Sequence, residues 1–216
     1  MIKGIIFDMD GLIFDSERVV QRAWSEIGEE CGYPGMGEQI YQTVGFNRRR
    51  REEYFKSVYG QDFPHDLFVD KTRDIFSRIV ETEGLPMKAG AKEVLMLAKE
   101  KRLRIGLATS SSSDYAKEEL TTAGIYEYFD GFVFGNMVTK SKPDPEIYLK
   151  ACEEVGIHPE DGLALEDAPS GVESAYRAGL RVIMVPDLVQ PDEATRAKAW
   201  KVAGSLEEVI PLLKAQ

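Results

Sequence analysis

The sequence contains few of the residues that build disulfide frameworks and zinc sites. Its 216 residues include two cysteines and two histidines. Cys31 and Cys152 are far apart and form no CxxC pattern, so we expect two free thiols in a reducing compartment. His65 and His158 are too few and too scattered for a zinc site. Disulfide-rich secreted proteins and zinc proteins are therefore poor interpretations of this chain.

The sequence also lacks long apolar runs and an excess of positive charge. No run approaches the length that spans a bilayer, and residues 1–4 lack the features of a signal peptide. Lys and Arg number 27 against 37 Asp and Glu, a formal net charge of -10, which argues against nucleic acid as a partner. We therefore expect a cytoplasmic protein that binds neither membranes nor nucleic acid, as a monomer or weak dimer. An anionic substrate would need a metal or a few local cations.

Short apolar runs alternate with stretches of helical period, such as residues 91–101 and 144–155. The runs are nearly continuous, as expected for strands covered on both faces, and comprise residues 5–7, 105–108, 132–134, 163–165 and 182–185. Glycines that can close a helix in the left-handed conformation follow three helical stretches, at Gly124, Gly156 and Gly179. This order predicts an α/β fold, a Rossmann-like parallel sheet sandwiched by helices.

Residues 16–86 interrupt that pattern and hold no buried-strand run. Apolar residues recur there at helical spacing, as in Val20, Ala23, Trp24 and Ile27. The sequence thus predicts an α/β core of residues 1–15 and 87–216, and an inserted helical cap of residues 16–86. Open α/β sheets bind ligands beside the carboxyl ends of their strands, so an insert after the first strand is expected to act as a lid.

Polar and charged residues follow several predicted strands. Asp8-Met9-Asp10-Gly11 follows the first, and two acids this close are costly without a cation, although Asp and Gly are also ordinary turn residues. The second strand ends in Thr109, Ser110, Ser111 and Ser112, Lys142-Pro143 follows the third, and Glu166-Asp167 ends the fourth. These ends should meet at one edge of the sheet. Asp8, Glu166 and Asp167 then offer hard oxygen ligands that suit Mg²⁺.

The four motifs together resemble those of the haloacid dehalogenase superfamily, in its phosphatase and β-phosphoglucomutase-like branch with a small helical cap. The resemblance spans the chain and implies that Asp8 attacks phosphorus to form an aspartyl phosphate, with Asp10 as general acid and then base. It also implies that Mg²⁺ is held by Asp8, the Asp10 carbonyl and Asp167, with Glu166 as an additional or indirect ligand. The phosphoryl oxygens would be held by Thr109, the backbone N–H groups near Ser110, and Lys142.

Each of these residues also has a structural interpretation. Thr109 could cap its helix, Lys142 could be a solvated lysine, and Glu166 could be an ordinary acid near the site. Asp144 is expected to cap the helix that begins near Pro145 and Glu146.

The predicted cap carries four consecutive arginines, Arg48 to Arg51, followed by Glu52 and Glu53. Such a run is usually a solvated helix face, but arginine also recognises phosphate. Arg48 follows Gly45-Phe46-Asn47, which resembles the family's cap loop, and we assign Arg48 to substrate binding. Three aromatic side chains could either line a pocket or form the cap's own core: Trp24, Phe14 and Tyr54. For Trp24 we favour the core.

The expected function is hydrolysis of a small-molecule phosphate ester, with sugar phosphates as the leading class. A β-phosphoglucomutase-type phosphomutase is the alternative, because it shares every core motif. The mutases that this chain resembles carry a histidine in the first cap helix, where Val20 stands here. A non-enzymatic binding protein conflicts with the intact acids, a dehalogenase with Asp10 and the metal acids, and a P-type-like ATPase with Met9-Asp10 after the nucleophile.

Overall fold

The computed structural model describes residues 2–44, 46 and 48–215, which form two compact units. The first unit comprises Met1–Phe14 and Met87–Gln216, and the second comprises Asp15–Pro86. Asp15 thus lies in the second unit, and not in the first as predicted. The elements, in chain order, are β1 (Gly4–Phe7), α1 (Ser16–Cys31), α2 (Ile40–Thr43), α3 (Arg48–Tyr59), α4 (His65–Glu83), α5 (Ala91–Glu100), β2 (Arg104–Ala108), α6 (Ser113–Thr122), β3 (Gly131–Val133), α7 (Glu146–Glu154), β4 (Gly162–Glu166), α8 (Pro169–Ala178), β5 (Arg181–Met184), α9 (Glu193–Lys198), β6 (Lys201–Val202) and α10 (Leu206–Lys214).

The first unit is built on a six-stranded sheet of order β3-β2-β1-β4-β5-β6, in which neighbouring strands run parallel. Every residue of β1 and of β4 is buried. Successive side chains of a strand point to opposite faces, so both faces of the sheet are covered. This confirms the predicted α/β fold. The pattern of apolar runs did not reveal β6, because its two residues are too short for a periodic signal.

The strand register brings the ends of β1, β2 and β4 together. Phe7 pairs with Leu107 of β2 on one side and with Leu165 of β4 on the other. The residues that follow these three strands therefore emerge side by side at one edge of the sheet. The predicted helix-closing glycines have positive φ angles of 65°, 71° and 92° at Gly124, Gly156 and Gly179, as helix termination requires.

The second unit is helical and contains its own aromatic core. Phe55 is fully buried, with ring centroids 5.2 Å from Trp24 and 4.8 Å from Phe68. Trp24 is accordingly a core residue of this unit. Phe14 belongs to the first unit, which excludes the cap's own core, one of the two alternatives left open for it. Val19 rather than Val20 lies on the buried stripe of α1, and Val20 is only half-buried.

No helix among residues 2–44 and 48–215 has the length and apolar character needed to cross a membrane.

Candidate active site

Asp8 occupies the centre of the sheet edge formed by the strand ends. Its backbone N–H donates to the carbonyl of Leu165 at 3.0 Å, which continues the pairing of β1 with β4 by one residue. Its side chain is buried, with the whole residue 6% exposed. A carboxylate held at this depth needs compensating charge, because removal from water is costly for an ion.

Lys142 provides that charge. Its Nζ lies 2.5 Å from Oδ1 of Asp8 and 2.6 Å from Oε1 of Glu166. Burial raises the pKa of Asp8, while the charge of Lys142 opposes the shift and that of Glu166 adds to it. Burial by itself would lower the pKa of Lys142, but the charges of Asp8 and Glu166 raise it above its usual value. Lys142 is therefore a buried cation of this site and not a solvated surface lysine.

Three buried acids form a group that could hold a metal ion. One carboxylate oxygen from each of Asp8, Glu166 and Asp167 lies within 4.8 Å of the others. Gly11 makes this arrangement possible: its φ is +82°, and a Cβ at this position would collide with Oδ2 of Asp167. Three hard oxygen donors suit Mg²⁺ better than a softer ion.

Glu166 is already surrounded by donors from the protein. Its Oε1 accepts hydrogen bonds from Lys142 at 2.6 Å and from the hydroxyl of Tyr148 at 2.5 Å. Its Oε2 accepts from the backbone N–H groups of Asp167 at 3.2 Å and, at the limit of a hydrogen bond, of Ala168 at 3.5 Å. A carboxylate offers about four lone-pair positions. The resemblance implies that Glu166 is either an additional ligand of Mg²⁺ or an indirect one. Its surroundings fit the indirect role better, because protein donors already occupy its oxygens.

Asp10 faces the segment that precedes and begins α6. Ser111 Oγ donates to Oδ2 of Asp10 at 2.6 Å, and Tyr115 makes a longer contact to Oδ1 at 3.4 Å. Thr109 Oγ1 lies 3.5 Å from the same Oδ2 and accepts the N–H of Ser111 at 3.0 Å. Thr109 therefore organises the turn beside Asp10, which is compatible with either interpretation of this residue, whereas Ser110 is exposed.

The loop that carries Lys142 is closed by Glu146 at the start of α7. The Glu146 carboxylate accepts hydrogen bonds from the N–H and the hydroxyl of Thr139, and from the N–H of Lys140 at 2.9 Å. Lys150, followed by Thr139, lowers the pKa of Glu146 to about 2. Asp144 Oδ1 accepts the N–H of Glu146 at 3.1 Å, but α7 begins at Glu146 with Pro145 at the cap position, so Asp144 lies one residue before the cap position predicted for it.

The cap arginines differ in their surroundings within the second unit. Arg48 is exposed, and its Nη2 lies 2.9 Å from Oδ1 of the exposed Asp66. Arg49 pairs with Glu53 one turn along α3. Arg51 is the more buried, and burial lowers the pKa of its guanidinium. Gly45 and Asn47 of the predicted cap loop lie outside the described residues, and the substrate role of Arg48 stays a prediction.

Three hydroxyl groups at this site, those of Ser111, Tyr115 and Tyr148, had no role predicted from the sequence. Ser111 was included only as a donor near a strand end, although it contacts Asp10. Tyr148 falls within the predicted stretch of helical period at residues 144–155 and lies on the buried face of α7, yet its hydroxyl donates to Glu166. Helical periodicity identifies which residues lie on the buried face of a helix. It does not identify the hydrogen bonds that their side chains make.

Comparison with known sequences identifies the family. The family described as haloacid dehalogenase-like hydrolase matches residues 5–185. The chain belongs to the haloacid dehalogenase-like hydrolase family. This confirms the resemblance stated above.

Relatives within the haloacid dehalogenase-like hydrolases include both phosphatases and a mutase. The phosphorylated carbohydrates phosphatase of Thermotoga maritima is 32% identical over 214 residues, covering 99% of each chain. The β-phosphoglucomutase of Bacillus subtilis is 30% identical over 196 residues, covering 85% of this chain and 83% of the mutase. The crystal structure of CbbY from Rhodobacter sphaeroides in complex with phosphate superposes with a TM-score of 0.80 at 26% identity, covering 97% of this chain and 96% of CbbY.

Proposed function

We propose that this protein is a Mg²⁺-dependent phosphohydrolase that cleaves a small phosphate ester, with sugar phosphates as the leading class, through an aspartyl phosphate on Asp8. The observation that carries the proposal is the placement of a buried cation, Lys142, 2.5 Å from the buried Asp8, beside the acids Glu166 and Asp167. The name of the Thermotoga maritima relative, a phosphatase of phosphorylated carbohydrates, supports the substrate class.

In the proposed first step, the Asp8 carboxylate forms a bond to phosphorus as the bond from phosphorus to the leaving oxygen breaks. Asp10 donates its proton to that leaving oxygen. In the second step Asp10 takes a proton from a water molecule, which attacks the phosphoaspartate and releases inorganic phosphate. Asp8 is thereby restored as a carboxylate and Asp10 as an acid, so the cycle closes without another reactant.

Charge neutralisation is the main contribution of the remaining residues. The Lys142 ammonium stabilises the negative charge of the Asp8 carboxylate before the attack, and that of the phosphoryl oxygens during it. The residues that would hold Mg²⁺ are Asp8, the carbonyl of Asp10, and Asp167, with Glu166 in support. When bound, Mg²⁺ supplies further neutralisation between Asp8 and the phosphoryl group. The N–H groups near Ser110 and the hydroxyl of Thr109 are proposed to bind the other phosphoryl oxygens.

The presence of a β-phosphoglucomutase among the relatives makes a phosphomutase the second candidate. A mutase must keep its phosphoaspartate from water until a sugar hydroxyl arrives. The mutases that the sequence resembles use a histidine for this coupling, and Val20 stands at the corresponding position. Valine can neither donate a hydrogen bond nor shuttle a proton. We therefore favour water as the acceptor.

The two candidates differ in the product formed from β-glucose 1-phosphate. The purified protein is supplied with this substrate and a trace of the 1,6-bisphosphate, and both inorganic phosphate and glucose 6-phosphate are followed with time. The hydrolase proposal expects phosphate release without catalytic formation of glucose 6-phosphate. Glucose 6-phosphate formed much faster than phosphate would replace it with the mutase. A parallel panel of sugar phosphates and nucleotides defines the substrate class, and a preference for nucleotides would contradict the assignment to sugar phosphates.

A further inference from the structure

Tyr148 is a buried neighbour of the charged groups Glu166 and Lys142, but it does not contact the reacting carboxylate of Asp8. It belongs to the first turn of α7, has 0% exposure, and its hydroxyl donates to Oε1 of Glu166 at 2.5 Å. The Nζ of Lys142 lies 5.1 Å from the centroid of the Tyr148 ring, within the range of a cation–π contact. One side chain thus contacts both members of the ion pair between Lys142 and Glu166.

These contacts form a continuous chain from Tyr148 to the nucleophile. Tyr148 donates to Glu166, and Lys142 donates both to Glu166 and to Asp8. A lysine side chain is flexible, with four rotatable bonds, so the position of its ammonium depends on its partners. In the proposed cycle one partner changes: Asp8 becomes an acyl phosphate, and its carboxylate loses its own negative charge. Glu166 keeps the same covalent state throughout.

We propose that Tyr148 is a positioning residue, which fixes Glu166 so that this carboxylate holds the Lys142 ammonium in place while Asp8 changes from carboxylate to phosphoaspartate. This inference rests on the proposed function. The Tyr148 hydroxyl therefore supports the binding of phosphate by Lys142. It does not support the binding of the metal by Asp8 and Asp167.

The decisive variant is Tyr148→Phe, which keeps the ring and removes only the hydroxyl. A hydrogen bond to a buried charged group is a strong one, and its loss predicts a decrease in kcat of about 10- to 100-fold. The dissociation constant of inorganic phosphate, measured by calorimetry, should rise by a similar factor. Affinity for Mn²⁺, measured by calorimetry on the protein without substrate, should change by less than about threefold. The matched control is Tyr126→Phe in the same unit, whose ring stacks on Phe132 at 4.7 Å, and it should leave all three quantities unchanged.

A double-mutant cycle separates positioning from simple support of the fold. Because Tyr148 is proposed to act through Glu166, Tyr148→Phe should have little further effect on phosphate affinity in a Glu166→Gln background. Glu166→Gln alone should weaken phosphate binding as much as Tyr148→Phe does, and it carries the test if the tyrosine variant fails to fold.

Three outcomes would overturn the proposal: phosphate affinity within twofold of the wild-type value in the folded Tyr148→Phe protein, an equal loss of Mn²⁺ affinity, or full additivity in the double-mutant cycle. Failure of the proposed function is recognised separately, because it would appear as turnover retained by Asp8→Asn. The phosphate and Mn²⁺ measurements need no turnover, so they test Tyr148 in either case.

Discussion

Nζ of Lys142 lies 2.5 Å from Oδ1 of Asp8, although 133 residues separate the two in the chain. Both side chains are almost fully buried, with 8% and 9% of their surfaces exposed. A buried ion pair is costly to assemble and is weak evidence of stabilisation by itself. Its position at the ends of the central strands agrees better with a role in chemistry, as the following predictions test.

The first prediction concerns the nucleophile. Asp8→Asn keeps the volume of the side chain but removes the attacking carboxylate, so phosphate release should fall by about 1,000-fold or more. Steady-state release of phosphate from an aryl phosphate measures the effect. The control is Asp161→Asn, which removes the carboxylate paired with Lys3 outside the site and should leave the rate unchanged, because exposed ion pairs contribute little. An Asp8→Asn protein with a tenth of the wild-type activity would show that Asp8 is not the nucleophile.

The second prediction concerns the metal. Activity on an aryl phosphate should be lost in the presence of a chelator and restored by excess Mg²⁺, because buried carboxylate oxygens of Asp8 and Asp167 lie within 4.8 Å of each other. Asp167→Asn should raise the Mg²⁺ concentration for half-maximal rate by about 10-fold or more, as expected for loss of a charged ligand. Equal rates with and without the chelator would remove the metal from the mechanism.

The third prediction concerns Arg48 and substrate choice. Arg48→Ala should lower kcat/KM for the preferred sugar phosphate and change an aryl phosphate much less, because the cap is predicted to contact the leaving group. Its exposed ion pair with Asp66 is worth about 0.2–1 kcal/mol at most, so the fold should survive. Arg49→Ala removes a neighbouring exposed arginine and is the matched control. An equal loss on both substrates would instead assign Arg48 to the phosphoryl group or to the fold.

The fourth prediction concerns Glu146 and acid. Its pKa is lowered from 4.5 to about 2, first by Lys150 and then by Thr139. A lowered folded-state pKa gives stability that is present above pH 4.5 and is lost as the pH falls from 4.5 towards 2. Glu146→Gln should therefore destabilise the protein more at pH 7 than at pH 3, as measured by urea unfolding. A destabilisation that is the same at both pH values would show that the charge of Glu146 contributes nothing.

Much of the fold could be predicted from the sequence because its signals are local. Continuous apolar runs identify strands buried on both faces, and a glycine after a helical stretch indicates where a helix closes. The insert was recognised for the same reason, since its apolar residues recur at helical rather than strand spacing. The two-residue strand β6 was not predicted, because two residues are too few to show a periodic pattern of apolar side chains.

The chemical character of the site could also be predicted from the sequence, because parallel strands end at a common edge of the sheet. The charged residues that follow predicted strands are Asp8, Asp10, Lys142, Glu166 and Asp167. Only the tertiary structure decided how these groups pair. Nothing local to Lys142 indicates that its ammonium lies between Asp8 and Glu166, and nothing local to Tyr148 separates an apolar core residue from a donor to a buried acid. The reason is physical: a hydrogen bond between distant segments depends on the register of strands and the direction of long side chains, which periodicity in one segment does not encode.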